Sequence, residues 1–395
     1  MKKRKSAIMH RPISRVKPRS NSAYSLRKVT PVKSRRKKLA LLLPGHNEEL
    51  IIAATIRSAI RAGQNPRDIY VVDDCSTDAT RSEALKLLDR RNVLTVGRSG
   101  KALAVYKAIK HFEIEENYKW VHVADADSIF GKDYFRIYRR NLHSRKYAVA
   151  VGFVQSLRGN WISTYRAMNY TYSQHIQRRV QSYLGMISVF PGPITCFRTD
   201  IISKLDFDTG SLTEDFDITL QVHRKKLGGI KYIPKAVNYT QDPETLKDFI
   251  KQTARWQRGF FQGVSKYGIG RQLQRIDVSL GFQMLQAILF LIQYFVFAPY
   301  VYFQTHNPLV YPVMIAADFI VVGVTTMFAA AAVKRWNVIG VLPYFYFLRW
   351  VELIVFFTAF FEVIVFKKFK NSPAGWSTEG RRYAVNAKAL QDTAQ

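Results

Sequence analysis

The residues best suited to chemistry in this sequence are acidic, and they cluster where apolar runs end. Asp125-Ala126-Asp127 closes the run Trp120–Ala124. Alternate residues of an extended chain share a face, so the two carboxylates point the same way. Hard oxygen donors of this kind suit Mg²⁺ or Mn²⁺, which commonly shares its coordination with substrate phosphates. Such a triplet also occurs in solvated loops, but its position at the end of an apolar strand favours Asp125 and Asp127 as metal ligands. Asp73-Asp74-Cys75-Ser76-Thr77-Asp78 follows a second apolar run, Ile69–Val72. Ser76, Thr77 and Asp78 can cap a following helix while one aspartate faces a ligand. Lys101, after the flexible Ser99-Gly100, either neutralises a diphosphate or stands in solvent. Thr213-Glu214-Asp215 either caps a helix start through its dipole or supplies a general base, for which Asp215 is the candidate. Gln252-Thr253-Ala254-Arg255-Trp256 reads in one of two ways. It is an amphipathic helix with an interfacial tryptophan, or Arg255 meets phosphate oxygens while Trp256 walls the acceptor.

These groups need a scaffold that brings strand ends together. Between Lys38 and about Tyr134, apolar runs at Leu39–Leu43, Ile69–Val72, Val93–Val96 and Trp120–Ala124 alternate with helical periodicity at Leu50–Ala62, Thr80–Leu88 and Lys101–Phe112. Buried strands alternating with amphipathic helices predict an α/β domain with a mainly parallel sheet. Ligands of such sheets gather at the carboxyl ends of the strands, where the Pro44–Glu49, Asp73–Asp78 and Asp125–Asp127 segments fall.

The remaining sequence changes character twice. Residues 1–38 hold fifteen Lys or Arg and no acid, within a chain of net charge +31. This tail is either solvated disorder or a tether to acidic lipids. No nucleic-acid-binding motif accompanies the charge, so no nucleic acid partner is expected. Cys75 and Cys196 are the two cysteines and form no CxxC, against a zinc ribbon or disulfide framework. Val278–Phe303 and Leu309–Val333 are apolar and long enough to span a bilayer. Arg271, Arg275, Lys334 and Arg335 flank them, and the uncharged loop Thr305–Pro308 joins them, which predicts a hairpin with both ends cytosolic. Val338–Phe366 is a third segment, interrupted by Arg349, Glu352 and Glu362, which reads as a buried core helix or as an interfacial, re-entrant or spanning one. A single crossing would put Lys367, Lys368 and Lys370 outside, so an interfacial or re-entrant segment is expected over a spanning one.

Taken in order, Pro44-Gly45-His46-Asn47-Glu48-Glu49, Asp73-Asp74 with Ser76 and Asp78, Asp125-Ala126-Asp127, Gly192-Pro193, Thr213-Glu214-Asp215 and Gln252–Trp256, then apolar helices, resemble the family 2 glycosyltransferases. The match is to the branch of hyaluronan, chitin, cellulose and poly-N-acetylglucosamine synthases, over roughly residues 39 to 382. It implies a GT-A-like mixed, mainly parallel sheet with flanking helices over 39–250, an interfacial helix region over 251–277, a helical membrane module over 278–366 and a cytosolic tail over 367–395. By position, Pro44, Glu48, Asp73 and Asp74 would bind the nucleotide, with Lys101 near its diphosphate. Asp125 and Asp127 would form the metal and phosphate site, Asp127 being the more direct ligand. Asp215 would be the base, and Gln252, Arg255 and Trp256 the QxxRW element that closes over diphosphate and acceptor. Trp376-Ser377-Thr378-Glu379-Gly380-Arg381-Arg382 resembles the WGTxGR-type element of hyaluronan and Nod-factor chitin synthases, with Ser377 in place of the usual glycine. It implies substrate contacts for Trp376 and Arg381. Cys75 stands where glycine is commoner, a small-for-small exchange expected to be harmless.

The implied activity is inverting, metal-dependent transfer from a UDP-sugar to a growing β-linked polysaccharide, with transfer of one sugar to a membrane lipid as the alternative. Implied partners are the donor, a glycan or lipid acceptor and the lipid bilayer; a homo-oligomer is compatible with all of these. The implied location is the cell (inner) membrane, multi-pass, with catalytic domain and N-terminus cytoplasmic. Synthases of this branch generally open with membrane helices, whereas this sequence opens with a basic tail, so less helical material is expected for a translocation channel.

Overall fold

The computed structural model of the chain describes residues 36–157 and 159–368. The basic tail up to residue 35 lies outside them, as do Trp376 and Arg381. Eight strands are β1 (Lys37–Gly45), β2 (Ile69–Asp74), β3 (Val93–Val96), β4 (Tyr118–Val123), β5 (Ile129–Phe130), β6 (Tyr147–Ser156), β7 (Thr195–Arg198) and β8 (Gly229–Thr240). They form one sheet in the order β3-β2-β1-β4-β7-β6-β8-β5. The β3, β2, β1, β4 half is parallel throughout; β7 runs antiparallel to both β4 and β6, and β8 pairs parallel with β6. This is the mixed, mainly parallel α/β sheet expected from the alternation of elements.

The helices flanking this sheet are α1 (Ile52–Arg61), α2 (Thr80–Leu85), α3 (Lys101–His111), α4 (Ile114–Asn117), α5 (Tyr134–Asn141), α6 (Trp161–Tyr172), α7 (Arg178–Leu184) and α8 (Glu214–Arg224). Leu39, Leu41 and Leu43 of β1 pack with α1 and α5, whereas Ala40 and Leu42 pack with α3 on the opposite face. A strand buried on both faces has to be continuously apolar, and that is how β1 reads. Strand β2 runs further than its apolar stretch, through Asp73 and Asp74, because their backbones still pair with Thr95 and Val96 of β3.

The C-terminal elements are α9 (Leu246–Tyr267), α10 (Arg275–Ile292), α11 (Ala298–Thr305), α12 (Val310–Val333) and α13 (Leu342–Phe360). A π-turn at Gln293–Phe297 joins α10 to α11, so Arg275–Thr305 is one helical rod of 31 residues. Helix α12 has 24 residues, about 36 Å at 1.5 Å per residue, against roughly 30 Å of bilayer hydrocarbon. Both rods are long and apolar enough to cross a membrane, and only 17% and 12% of their most apolar windows are buried in the protein. Arg224 binds Asp277 at the start of α10 through two contacts of 2.5 and 3.0 Å. Arg335, just after α12, is buried and donates to the carbonyls of Ser156 and Leu157. Both ends of the hairpin are therefore fastened to the sheet domain, with Thr305–Pro308 at the opposite end. Arg335, one of the basic residues flanking the second apolar segment, thus also serves as an anchor.

In the third apolar segment, the tight turn Trp336–Val341 precedes α13, and a π-turn, Phe361–Val365, follows it. Its charges all meet partners inside the protein. Arg349 lies 3.6 Å from Asp318 of α12. Glu352 accepts from Tyr165 at 3.0 Å, and Glu362 accepts from Arg258 of α9 at 2.7 Å. Phe261 of α9 packs with Ala359 and Val363. The segment is thus docked along α9, with its charged edge turned toward that helix, α6 and α12.

Candidate active site

Strand order reverses between β1 and β4: the chain proceeds outward from β1 through β2 and β3, then returns to β4 on the other side. The crevice at such a switch point is where doubly wound sheets take ligands. Two acidic loops meet there and brace each other. Asn47 N donates to Ser76 Oγ at 3.0 Å, Glu48 N to Thr80 Oγ1 at 2.7 Å and Ala79 N to Glu49 Oε2 at 2.9 Å. Pro44 is still within β1, opposite Val72, and Glu48 and Asp73 are buried. Asp74 is fully buried and accepts from Ser99 N at 2.7 Å, Gly100 N at 2.9 Å and Arg98 Nη1 at 3.2 Å. Asp74 thereby holds the loop that delivers Lys101 at the first position of α3. Asp73 accepts from Ser76 N and Thr95 Oγ1, at 3.0 and 3.2 Å. Cys75 between these turns has φ +61°, a left-handed conformation. Its exchange for the commoner glycine is therefore not harmless, because a Cβ there meets the backbone.

Lys101 is not solvated. Its ammonium lies 2.5 Å from Asp125 Oδ1 and 3.2 Å from Glu214 Oε1. Burial by itself would lower its pKa, but Asp125 and Glu214 reverse this and hold the ammonium above its ordinary value. Gly192 permits the approach, since a Cβ there would sit 2.6 Å from the lysine nitrogen. The Gly192 amide donates to Asp215 Oδ2 at 3.2 Å, and Phe216 N to Asp215 Oδ1 at 2.8 Å. Burial, then the neighbouring Glu214, push the Asp215 carboxyl up to about 6, against the opposing pull of Lys101 and Arg255. That value suits a base working near neutral pH.

The Asp125–Asp127 turn is tied down from two sides. Thr55 of α1 donates to the Ala126 carbonyl at 2.6 Å. Asn238 of β8 donates to Ser128 Oγ at 3.1 Å and to the Pro193 carbonyl at 3.2 Å, joining this turn to the Gly192-Pro193 turn. Asp125 lines a cavity of about 400 Å³, and Asp127 is 2% exposed beside it. Among the described residues no three His, Cys, Asp or Glu side chains converge as a closed cage. Of the pair, Asp125 faces the cavity, where Lys101 already holds it, and Asp127 is not among the lining residues. A divalent ion there would therefore draw most of its shell from phosphate and water.

Helix α9 forms the facing wall. Gln252, Arg255 and Trp256 share one of its faces and line the same cavity as Lys101, Asp125 and Asp215. Arg255 donates to the Leu212 carbonyl at 3.1 Å, just before α8. Close approach of the two helices depends on Gly259 and Gly263: a Cβ on Gly259 would overlap Thr213, and one on Gly263 would lie 2.5 Å from the Phe216 ring. Sequence reasoning passed over these glycines, and over Arg166, Arg178 and Asp242. Arg178 and Asp242 line the cavity. Burial raises the Asp242 carboxyl to about 6, with Arg166 opposing. No spacing rule flags such residues, because their partners are remote in the chain.

The profile of a family described as glycosyltransferase like family 2 matches residues 36–259. The poly-beta-1,6-N-acetyl-D-glucosamine synthase of Staphylococcus aureus is 25% identical over 228 residues, 56% of this chain and 54% of that protein. The same-named protein of Staphylococcus epidermidis is 26% identical over 227 residues, with the same coverage. The chain thus spans about half the length of these relatives. Among solved structures, the mannosyltransferase PcManGT from Pyrobaculum calidifontis, in complex with GDP-Man and Mn²⁺, aligns with 86% of this chain and 91% of its own at 17% identity and TM-score 0.48. Glucosyl-3-phosphoglycerate synthase from Mycobacterium tuberculosis aligns at 16% identity and TM-score 0.41, over 58% of this chain and 80% of its own. With the family profile matching more than half of its length, this chain belongs to the glycosyltransferase-like family 2.

Proposed function

We propose that this protein transfers a sugar from a UDP-activated donor to the growing end of a β-linked glycan, with inversion, at the cytoplasmic face of the cell membrane. The carrying observation is the convergence of Asp125, Lys101, Asp215, Arg255 and Trp256 on one cavity at the switch point of the sheet. In the proposed step the acceptor hydroxyl gives its proton to Asp215, and its oxygen bonds to the anomeric carbon. The bond from that carbon to the diphosphate breaks, and UDP leaves with the electron pair. Attack from the face opposite the leaving group inverts the centre. Lys101, kept protonated by its carboxylate neighbours, and Arg255 stabilise charge developing on the diphosphate. Asp125 and Asp127 would hold a divalent cation, Mg²⁺ or Mn²⁺, which when bound adds Lewis-acid stabilisation of the leaving group. Trp256 offers a flat apolar face to the acceptor sugar.

The relatives' name suggests N-acetylglucosamine as the sugar, so UDP-N-acetylglucosamine is the first donor to test, and UDP-glucose the second. The apolar hairpin, fastened at both ends to the catalytic domain, supports a membrane location with that domain on the basic-flanked side. It equally favours an acceptor held in the bilayer, such as a lipid that takes one sugar. Purified protein in detergent with Mn²⁺ and each radiolabelled donor separates the two. A ladder of products supports glycan synthesis, a single chloroform-soluble product supports glycolipid synthesis, and no transfer from any nucleotide sugar contradicts both.

A further inference from the structure

Arg166 belongs to no catalytic motif, yet both faces of its guanidinium and both of its terminal nitrogens meet partners, while its buried Nε has none. It is 4% exposed on α6. Its guanidinium carbon lies 4.6 Å from the Trp256 ring centroid and 4.5 Å from that of Phe249. One edge of the guanidinium meets the catalytic helix: Nη2 donates to Thr253 Oγ1 at 3.1 Å and to Gln252 Oε1 at 3.4 Å. The other edge faces the third apolar segment, with Nη1 3.8 Å from Glu352 Oε1. Glu352 is held in turn by the Tyr165 hydroxyl at 3.0 Å. Asp242, on the cavity wall, is the other carboxylate that feels Arg166.

Physical chemistry gives this arrangement a direction. A guanidinium removed from water has to be paired, and a planar one is oriented by the rings on its faces and the acceptors on its edge. Trp256 and Gln252 line the cavity, whereas Glu352 stands on α13 outside it. Arg166 therefore links a carboxylate of the membrane-proximal segment to two side chains of the acceptor wall.

We propose that Arg166 is a positioning residue for the acceptor wall, and that Glu352 of α13 positions Arg166. The third apolar segment thereby sets how well the site holds its acceptor while leaving the donor side alone. The proposal rests on reading Trp256 as the acceptor wall.

The test uses full-length protein in detergent, as wild type, Arg166→Lys, Glu352→Gln and the double variant. UDP-N-acetylglucosamine serves as donor and a β-linked N-acetylglucosamine pentamer as acceptor. Arg166→Lys keeps the charge but loses the planar stacking and the two-edged fork. It should raise the acceptor KM about tenfold, as loss of a cation–π and hydrogen-bond anchor would, with donor KM and UDP affinity within about twofold of wild type. Glu352→Gln should act in the same direction more weakly, and the double variant should match Arg166→Lys, because Glu352 works only through Arg166. An unchanged acceptor KM in Arg166→Lys, an equal rise in donor KM, or additive effects in the double variant would overturn the proposal. If wild type transfers to no acceptor, the proposed function fails separately, and the ¹⁹F resonance of fluorotryptophan at Trp256, assigned with Trp256→Phe, becomes the readout. A resonance displaced in both single variants supports the positioning role, and one unmoved in either overturns it.

Discussion

The chemistry of Asp215 follows from what surrounds its carboxyl. Its pKa is raised from the ordinary carboxylate range to about 6 by burial and by Glu214. A base accepts a proton only when ionised, so kcat/KM should fall on the acid side with a limb near pH 6. Glu214→Gln removes the neighbouring charge that raises this value, and should move the limb to lower pH. A limb that stays in place would detach Asp215 from the profile. Cys75 makes a different prediction: at φ +61° a glycine has no Cβ to clash. Cys75→Gly should stabilise the protein by about 1 kcal/mol, visible as a higher Tm, whereas a lower Tm would place the strain elsewhere. Asp73 with Asp74 and Asp125 with Asp127 stood out in the sequence because each pair ends an apolar run, whereas Asp215 stood out only as part of an acidic helix start in the family's motif order. Arg166 was not readable, because Trp256, which it stacks on, is remote in sequence. Gly192 was named only for its place in the motif order, because Lys101, which needs it small, is equally remote.

Between elements, the decisive contact is α9 against the start of α8, since α8 carries Asp215 while α9 carries Arg255 and Trp256. Gly263→Ala should push the Phe216 ring and separate these helices, at about 1–3 kcal/mol. Thermal unfolding should shift down, and the transfer rate of the folded fraction should fall with it. An unchanged Tm would mean that Phe216 turns aside freely. Apolar runs and helical periodicity placed the β1 to β4 half of the sheet closely, because β1, β2 and β4 are buried over most of both faces. Strand β3, at the edge with Thr95 exposed, was marked by its β-branched run alone. The same reasoning left the third apolar segment open between a buried core helix and an interfacial, re-entrant or spanning one. Arg349, Glu352 and Glu362 looked out of place in it, as their partners Asp318, Arg166 and Arg258 lie on other helices. Charge in an apolar helix marks the side that faces protein, but a single sequence does not name the partner.

For the molecule as a whole, both termini of the apolar hairpin are bound to the sheet domain and its rods leave most of their surface uncovered. By length and composition such rods fit the hydrocarbon of a bilayer, which is the location proposed for them. Membranes washed with alkaline carbonate should therefore retain the protein in the pellet, and release to the supernatant would contradict a spanning hairpin. Two observations, the fastening of both hairpin termini to the sheet domain and the docking of α13 on α9, tie the apolar C-terminal helices to the elements around the cavity. Neither was readable from hydropathy, which reports length and polarity but not contacts. The central claim is narrower: Asp215 takes the acceptor proton while other groups bind the nucleotide. It is tested most directly by single-turnover transfer from UDP-N-acetylglucosamine, comparing wild type with Asp215→Asn, alongside calorimetry of UDP with Mn²⁺. Asn replaces the carboxylate at nearly constant volume, so transfer should drop at least about a thousandfold while UDP affinity stays within about threefold. Near-normal transfer by Asp215→Asn, with UDP still bound, would contradict it.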